Sequence, residues 1–212
     1  VLVYMDGSKY ANEINQTNWY QILRRPYTRW GFANPNLDPA GYRALFLLQL
    51  AELEYNDSQI FEDLVASHSA INLSTEQDST IILCPQDLEP DAKLTIREKS
   101  VDLVAMVEAG GLDYAFEYLS VAVQHELRYV ELPSRIDLSD MGFEEAYSRV
   151  KVQMANGDVV VGKPIVYGVT VPKGVVNPEL AVRFVEYIIK ELGSTIFDEM
   201  GQPPITPAIA ND

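Results

Sequence analysis

The sequence predicts an α/β protein with mixed, largely parallel sheets flanked by helices. From Lys93 onward, short apolar stretches typical of buried strands alternate with stretches whose apolar residues have helical spacing. Clusters of turn-forming residues separate the two kinds of stretch. The 212 residues, 47% of them hydrophobic, suffice for one large or two small domains. Because no repeat, low-complexity tract or flexible linker interrupts the chain, we expect one compact body of two lobes.

The first half of the chain is predicted to open with a buried strand over residues 1–5, which are mostly apolar. One or two short helices should follow and end at Pro26, which cannot continue a helix. The remaining elements predicted in this half are a strand over 29–33, a turn-rich segment over 34–41, a long helix to Tyr55, and a second helix over 57–68.

The second half of the chain is predicted to open with an insertion over 72–91 that contains one strand at 80–83. Asn177 and Pro178 have the types favoured at an N-cap and at the first helical position, so a helix should run from there to about Gly201. The other predicted elements are strands at 94–97, 114–117 and 129–132, helices at 101–109 and 121–127, an irregular polar segment at 134–147, a hairpin of strands at 150–154 and 159–171, and an extended tail at 202–207.

Charge and composition exclude several classes of function. Acidic residues outnumber basic ones 31 to 16, which argues against a nucleic acid or an anionic membrane as partner. The single cysteine, Cys84, cannot form an internal disulfide, and we interpret it as a small buried hydrophobe. His68 and His125 lie far apart in sequence, and no Ser or Cys stands in a nucleophile motif, so no catalytic triad is indicated.

The ends of the chain carry no membrane or targeting signal. No apolar run approaches the ~20 residues that a membrane helix needs, and no signal peptide is recognisable. The first residue is Val1, within a predicted strand, so we interpret the chain as a mature or cut product.

The first candidate site is the predicted helix start at Asp38. Helix N-termini provide unpaired backbone N–H groups and a favourable dipole for anions. Pro39 has no N–H, so Ala40 and Gly41 are expected to leave unobstructed amides there. The alternative is that Asp38 only caps its own helix, a role worth ~1 kcal/mol.

The second candidate is a pair of segments that follow predicted strands. Ser100 can cap the helix that contains Val101, at the edge of the sheet where α/β folds bind ligands. Glu117 and Tyr118 lie at the end of an otherwise apolar strand. A carboxylate at that position is expected to have a charged or hydrogen-bonding partner, or a functional role. The alternative for Glu117 is a surface ion pair with Lys or Arg. Arg43 could pair with a carboxylate or with an anion.

Four segments together resemble the archaeal-type molybdate/tungstate-binding proteins of ABC importers. They occur in the same order as in that family, and the resemblance covers essentially the whole chain. The segments are 32–45 (FANPNLDPAGYRAL), 113–125 (DYAFEYLSVAVQH), 162–168 (GKPIVYG) and 201–205 (GQPPI).

The resemblance implies a two-lobed type II periplasmic-binding-protein fold. By this map residues 1–5 are a hinge strand, 6–160 the second ligand-binding lobe, and 161–212 the return hinge and the C-terminal part of the first lobe. The N-terminal part of the first lobe, with its serine-bearing loops, would be absent. Its absence should expose apolar side chains over 165–171 and 180–196. The resemblance also implies an extracellular protein, tethered to the cell membrane through a missing N-terminal segment.

The resemblance further implies that Asp38 and Glu117 coordinate the metal of a bound molybdate or tungstate. Amides near Ala40, Gly41 and Val101, and the hydroxyl of Tyr118, would then contact its oxygens. Carboxylates repel an anion unless they bind its central atom, which Mo(VI) and W(VI) allow and the sulfur of sulfate does not. Sulfate should therefore be rejected. Ala40 and Leu119 differ from residues common in the family, and both proposed metal ligands are retained.

The function implied is capture of molybdate or tungstate and delivery to an ABC permease with its ATPase subunits, by a monomer without catalysis, cofactor or nucleic acid. Two alternatives stay open. The same fold serves as the effector-binding domain of transcription regulators. Asp38 and Glu117 could also be the acid and base of a hydrolase, although neither motif is near an aromatic sugar platform.

Overall fold

The structure is a computed structural model that describes residues 1–76 and 79–209. The strands are β1 (Leu2–Tyr4), β2 (Trp30–Ala33), β3 (Asn72–Glu76), β4 (Ser79–Leu83), β5 (Leu94–Arg97), β6 (Tyr114–Phe116), β7 (Arg128–Val130), β8 (Val150–Gln153) and β9 (Val159–Val161). The helices are α1 (Trp19–Arg24), α2 (Pro39–Glu54), α3 (Ile60–Leu64), α4 (Ser100–Glu108), α5 (Leu119–Gln124), α6 (Ser134–Asp137), α7 (Glu144–Tyr147), α8 (Pro178–Ile189) and α9 (Glu191–Glu199). The α/β class predicted from the sequence is confirmed.

The first sheet has the strand order β5-β2-β6-β1-β7. Strand β2 pairs in parallel with β5 and β6, whereas β1 is antiparallel to both β6 and β7. All residues of β1, β2 and β6 are buried, which explains why these strands are continuous apolar runs in the sequence. The carboxyl ends of the three parallel strands lie at one edge of this sheet.

The second sheet has the order β3-β4-β8-β9. Strands β3 and β4 form an antiparallel hairpin within the predicted insertion, and β4 pairs in parallel with β8. Helix α2 packs against β2 of the first sheet and β8 of the second. Because it is covered from two directions, its buried residues lie on several faces, so the helix lacks a simple apolar stripe.

Aromatic side chains fill the core of the first sheet. Trp19 and Trp30 are fully buried, and each contacts Phe116 edge-to-face with ring centroids 5.8 Å apart. Such pairs contribute about 0.5–1.5 kcal/mol beyond the burial of their area. This cluster lies directly under the end of β6, and it therefore supports the residues that follow Phe116.

The chain divides into two compact units. The first comprises residues 1–118 and 127–165 and contains both sheets; the second comprises 119–126 and 166–212. The predicted lobe boundaries stay a prediction. In the second unit, Gly201 has φ +71°, and a Cβ there would lie 2.9 Å from the carbonyl oxygen of Leu119. The end of α9 therefore packs closely on the start of α5.

Helix α8 starts as the sequence predicts, since the side chain of its N-cap Asn177 accepts a hydrogen bond from the Leu180 N–H at 3.1 Å. Many large apolar side chains of the second unit are exposed, as expected. They are Val166, Tyr167, Val169, Leu180, Val182, Phe184, Tyr187, Ile189, Leu192 and Ile196.

Some predicted elements are wrong in extent. Residues 8–18 form turns, and only α1 is helical in the stretch 8–25. The helix predicted over 57–68 is α3 followed by a 3₁₀ turn at Ala66–His68. The strand predicted to reach residue 171 ends at Val161, the last residue that pairs with β8. At Gly162 the backbone passes so close to Tyr147 that a Cβ would lie 2.2 Å from its carbonyl oxygen.

Two further differences concern helices. The segment predicted as irregular contains α6, a 3₁₀ turn at Met141–Phe143 and α7, and it buries Ile136 and Tyr147 despite its polar composition. The long C-terminal helix is two helices separated by the extended Lys190, whose ψ is 174°. The sharp corner requires Gly193, where a Cβ would lie 2.4 Å from the Tyr187 carbonyl oxygen. Within the described ranges, no helix is both long and apolar enough to cross a membrane.

Candidate functional site

Asp38 joins the beginnings of two helices. It is the N-cap of α2, with Pro39 at the first helical position, and its Oδ1 accepts a hydrogen bond from the Ala40 N–H at 2.9 Å. Its Oδ2 accepts a second hydrogen bond, from the Ser100 N–H at 3.0 Å. The capping role that the sequence left open is confirmed, but it extends to a second helix 62 positions away.

The capping of α4 differs from the prediction. Ser100 is the first residue of the helix, not its N-cap, and the N-cap Lys99 makes no capping hydrogen bond through its side chain. Asp38 provides that acceptor instead. A negative charge at both helix N-termini is electrostatically favourable, because the free N–H groups give each end a partial positive charge. Val101, 56% exposed, lies in the same first turn.

Ala40 and Gly41 do not have the unobstructed amides that the sequence predicted. The Ala40 N–H donates to the Asp38 side chain, and the Gly41 N–H donates to the Asp38 carbonyl oxygen at 3.0 Å. Glycine is required at position 41 for space, because a Cβ there would lie 2.1 Å from the Ala33 carbonyl oxygen. In this structure both residues position Asp38.

The loop that carries Asp38 is held by asparagine side chains. Asn34 Oδ1 accepts from the Asn36 N–H at 2.9 Å. Asn36 in turn donates to the Pro85 carbonyl oxygen and accepts from the Ala155 N–H, each at 2.9 Å. The loop between β2 and α2 is therefore fixed to the segments that follow β4 and β8, and Asp38 has a defined position.

Glu117 is a buried carboxylate with one unsatisfied oxygen. The residue is 6% exposed, and its Oε2 accepts from the Tyr118 N–H at 3.2 Å. Its Oε1 is buried without a hydrogen-bond partner among the described residues, and no described Lys or Arg forms an ion pair with it. The alternative of a surface ion pair is therefore wrong. Burying an oxygen without a hydrogen-bond partner lowers the stability of the folded protein. Such an oxygen therefore points to a functional role.

Burial is the main cause that raises the pKa of Glu117 to about 7. The Ser100 side chain and the Tyr118 N–H act in the opposite direction, whereas the negative charge of Asp38 raises the pKa further. Both carboxylates thus interact with Ser100 and with each other. The structure brings together the two acidic residues that the sequence singled out.

The fold explains why these residues meet. Asp38 follows β2, Ser100 follows β5, and Glu117 follows β6, and these strands are parallel neighbours in the order β5-β2-β6. Their carboxyl ends therefore meet at one edge of the sheet, which is the usual place for a ligand site in an α/β protein.

Tyr118 and Arg43 lie beside this site. Arg43 Nη1 donates a hydrogen bond to the Tyr118 hydroxyl, and its guanidinium carbon lies 5.5 Å from the centroid of the Tyr118 ring. From its sequence position we expected Arg43 to pair with a carboxylate or an anion, and the contact with Tyr118 was not predicted. The shared acceptor between α2 and α4 was also missed, since neither contact leaves a local signal in the sequence.

Other reactive side chains do not add to the site. Cys84 is buried, as predicted, and burial raises the pKa of its thiol to about 12. His68 pairs with Asp91, with 2.7 Å between Nδ1 and Oδ2. Over residues 1–76 and 79–209, no three His, Cys, Asp or Glu side chains cluster as a metal site of their own.

Two carboxylates and two helix N-termini lie together at the carboxyl edge of three parallel strands, the arrangement of a ligand-binding α/β protein. The comparison with protein families agrees, because residues 1–202 match the model of a family described as bacterial extracellular solute-binding proteins. The chain belongs to this family of solute-binding proteins.

Relatives with curated descriptions are found in archaea. A solute-binding protein without a stated ligand from Methanoculleus marisnigri is 52% identical over 212 residues, which cover 98% of the chain and 59% of the relative. A solute-binding protein from Staphylothermus marinus is 41% identical, over 96% of the chain and 60% of its own length.

A third relative has a stated ligand. The molybdate/tungstate-binding protein WtpA of Pyrococcus abyssi is 41% identical over 214 residues, which cover 99% of the chain and 61% of the relative. The chain therefore spans roughly three fifths of the length of the curated relatives it matches.

Proposed function

We propose that the chain is the second lobe and part of the first lobe of an extracellular protein that captures molybdate or tungstate and delivers it to an ABC permease. The Pyrococcus abyssi relative, named for these anions, supports the ligand class. The membership in a solute-binding family supports a binding rather than a catalytic role. The protein binds one oxyanion by closing two lobes about its hinge strands, and it is tethered to the cell surface.

The observation that carries this proposal is the buried Oε1 of Glu117, which has no hydrogen-bond partner within residues 1–76 and 79–209, beside the carboxylate of Asp38. Two adjacent carboxylates would repel an ordinary anion. An oxyanion whose central metal accepts further oxygen ligands can be bound instead, because the carboxylate oxygens coordinate the metal. Molybdate and tungstate have such a centre, and sulfate and phosphate do not.

Asp38 exchanges its partners when the oxyanion binds. Its two oxygens accept from the Ala40 and Ser100 N–H groups. When one carboxylate oxygen turns to the metal, an N–H group at a helix start is released for an oxygen of the anion. The positive helix ends thus stabilise the oxyanion while Asp38 and Glu117 bind its metal. Val101 and Tyr118 provide additional donors.

Calorimetry on the full-length protein tests the proposal. Tungstate or molybdate should bind much more tightly than sulfate, and Asp38→Ala and Glu117→Ala should each weaken binding by more than about tenfold, since each removes a metal ligand. Asp140→Ala is the matched control, because Asp140 caps a 3₁₀ turn through the Gly142 N–H at 2.7 Å outside the site. Equal affinity for sulfate and tungstate would contradict the proposal.

A hydrolase is the second candidate, because a carboxyl group with a pKa of about 7 suits a general acid. Both oxygens of Asp38 already accept from backbone N–H groups, which makes it a poor general base. A panel of glycoside substrates distinguishes the two functions: turnover that disappears in Glu117→Gln would favour the hydrolase.

A further inference from the structure

Asn36 connects the loop that carries Asp38 with the second sheet. Its Nδ2 donates to the Pro85 carbonyl oxygen and its Oδ1 accepts from the Ala155 N–H, each at 2.9 Å. Pro85 and Ala155 stand two positions after β4 and β8, and these strands are parallel neighbours in which Leu83 pairs with Gln153. One side chain therefore binds the backbone beyond the carboxyl ends of both parallel strands of the second sheet.

The contact is transmitted to Asp38 through a short, internally bonded segment. Asn34 Oδ1 accepts from the Asn36 N–H at 2.9 Å. The Asn34 carbonyl oxygen accepts from the Leu37 N–H at 3.0 Å and from the Asp38 N–H at 2.9 Å. Pro35 restricts the backbone further, because its ring fixes φ. A displacement of Asn36 must therefore displace Asp38, two positions further along the chain.

Asp38 needs this external support most when a ligand is bound. Its two oxygens accept from the Ala40 and Ser100 N–H groups, and coordination of a metal draws an oxygen away from such a donor. The backbone partners of Asn36 belong to other segments, so coordination leaves them in place. Groups that orient a metal-binding side chain from outside the ligand set typically change metal affinity by about 10–100-fold.

We propose that Asn36 is a positioning residue for the oxyanion site, through which the second sheet holds Asp38 in the orientation that coordination requires. This inference rests on the proposed function. Asp38, Ser100 and Glu117 all follow strands of the first sheet, so the inference gives the second sheet a role in binding that the site residues alone do not indicate. Asn36 acts through the loop, since its Oδ1 and Nδ2 both have backbone partners.

Two substitutions remove the connection from opposite sides in the full-length protein, with tungstate affinity measured by calorimetry. Asn36→Ala removes both hydrogen bonds and should weaken binding by about tenfold or more. Ala155→Pro removes only the N–H that donates to Asn36. Ala155 is the second residue of a turn closed by the Gly157 N–H and the Met154 carbonyl oxygen at 2.9 Å, a position that favours proline. This variant should lose less affinity, and the double variant should bind no more weakly than Asn36→Ala.

The Asp38→Ala background separates positioning from a general structural role. Adding Asn36→Ala to Asp38→Ala should cause no further loss of tungstate affinity, because Asn36 acts through Asp38. A structural role independent of Asp38 would add its own loss. The free energy of unfolding in urea should change little in Asn36→Ala, since the hydrogen bond to the Ala155 N–H is exposed and water can replace it.

Asn18→Ala is the matched control. Asn18 likewise accepts from one backbone N–H, that of Asn15 at 2.8 Å, and donates to one carbonyl oxygen, that of Glu13 at 3.0 Å, within a different turn. It should leave tungstate binding unchanged. If Asn36→Ala fails to fold, Ala155→Pro provides the decision, and normal tungstate binding by that variant would then overturn the inference.

Other results would overturn the inference alone. They are unchanged tungstate affinity in a folded Asn36→Ala variant, additive losses with Ala155→Pro, a further loss in the Asp38→Ala background, or an equal loss in Asn18→Ala. Failure of the unsubstituted protein to bind tungstate would overturn the proposed function as well.

Discussion

The carboxylates of Asp38 and Glu117 differ in the hydrogen-bond donors that contact their oxygens. Asp38 has a backbone donor for each oxygen. In the part of the chain that the structure describes, Glu117 has a donor for one oxygen only, and it is buried, so its charged form is disfavoured. The sequence indicated Asp38 as the cap of a predicted helix and Glu117 as the charged end of an apolar strand. It could not indicate the hydrogen bond from the Ser100 N–H to Asp38, because these two residues are far apart in the chain.

The pKa of Glu117 predicts how stability depends on pH. The folded value, about 7, lies above the ordinary value of 4.5, so the folded protein binds more protons than the unfolded chain between these values. The free energy of unfolding should therefore fall as the pH rises from about 4.5 to about 7. Urea unfolding across this range should show the decrease, and Glu117→Gln should lack this contribution.

Glu145→Gln is the control for that measurement, because the Glu145 side chain is 90% exposed. It should keep the pH dependence of the unsubstituted protein. A Glu117→Gln variant with an unchanged pH profile would show that Glu117 titrates normally in the folded protein.

The thiol of Cys84 gives a second residue-scale prediction. Burial raises its pKa to about 12, so almost no thiolate exists near neutral pH in the folded protein. A colorimetric disulfide reagent should react very slowly with the native protein and rapidly after addition of denaturant. Fast reaction of the native protein would contradict the buried position.

Among the elements, α2 and the strand order β5-β2-β6 do most to build the site. The sequence predicted these strands and the start of α2 from apolar runs, Pro39 and the turn formers before it. It did not predict the break at Lys190 or the short helices at 134–147, because those depend on close backbone contacts and on burial by distant segments. Propensity and spacing do not record such contacts.

Gly41→Ala tests the element-scale account. The added Cβ would meet the Ala33 carbonyl oxygen at 2.1 Å, so the first turn of α2 must move away from β2. We expect a loss of unfolding free energy of about 1–3 kcal/mol, as for other overpacked positions. Gly7→Ala is the matched control, since a Cβ at Gly7 meets no heavy atom within 4 Å. Equal stability of the two variants in urea unfolding would refute the close packing.

At the scale of the whole molecule, the two units differ in how their apolar residues are covered. The first unit has a core of fully buried aromatic and aliphatic side chains. The second unit exposes large apolar residues such as Tyr167 and Phe184. Large apolar side chains exposed in such number are typical of a region that another part of a protein covers. Under the proposed function, the remainder of the first lobe covers these residues.

The isolated chain of 212 residues should therefore behave poorly in solution. We expect a broad or irreversible thermal transition and binding of a hydrophobic dye, because the apolar residues of α8 and α9 contact water. The full-length protein should melt in a sharp transition without dye binding. A sharp, reversible melt of the isolated chain without dye binding would contradict this expectation.

X-ray absorption at the tungsten edge tests the central claim most directly, because it reports the oxygen neighbours of the metal in the bound anion. With tungstate bound to the full-length protein, we predict more oxygen neighbours than free tungstate has, and a loss of the added neighbours in the Asp38→Ala and Glu117→Ala variants. A tetrahedral spectrum identical to that of free tungstate in the unsubstituted protein would contradict coordination by the two carboxylates.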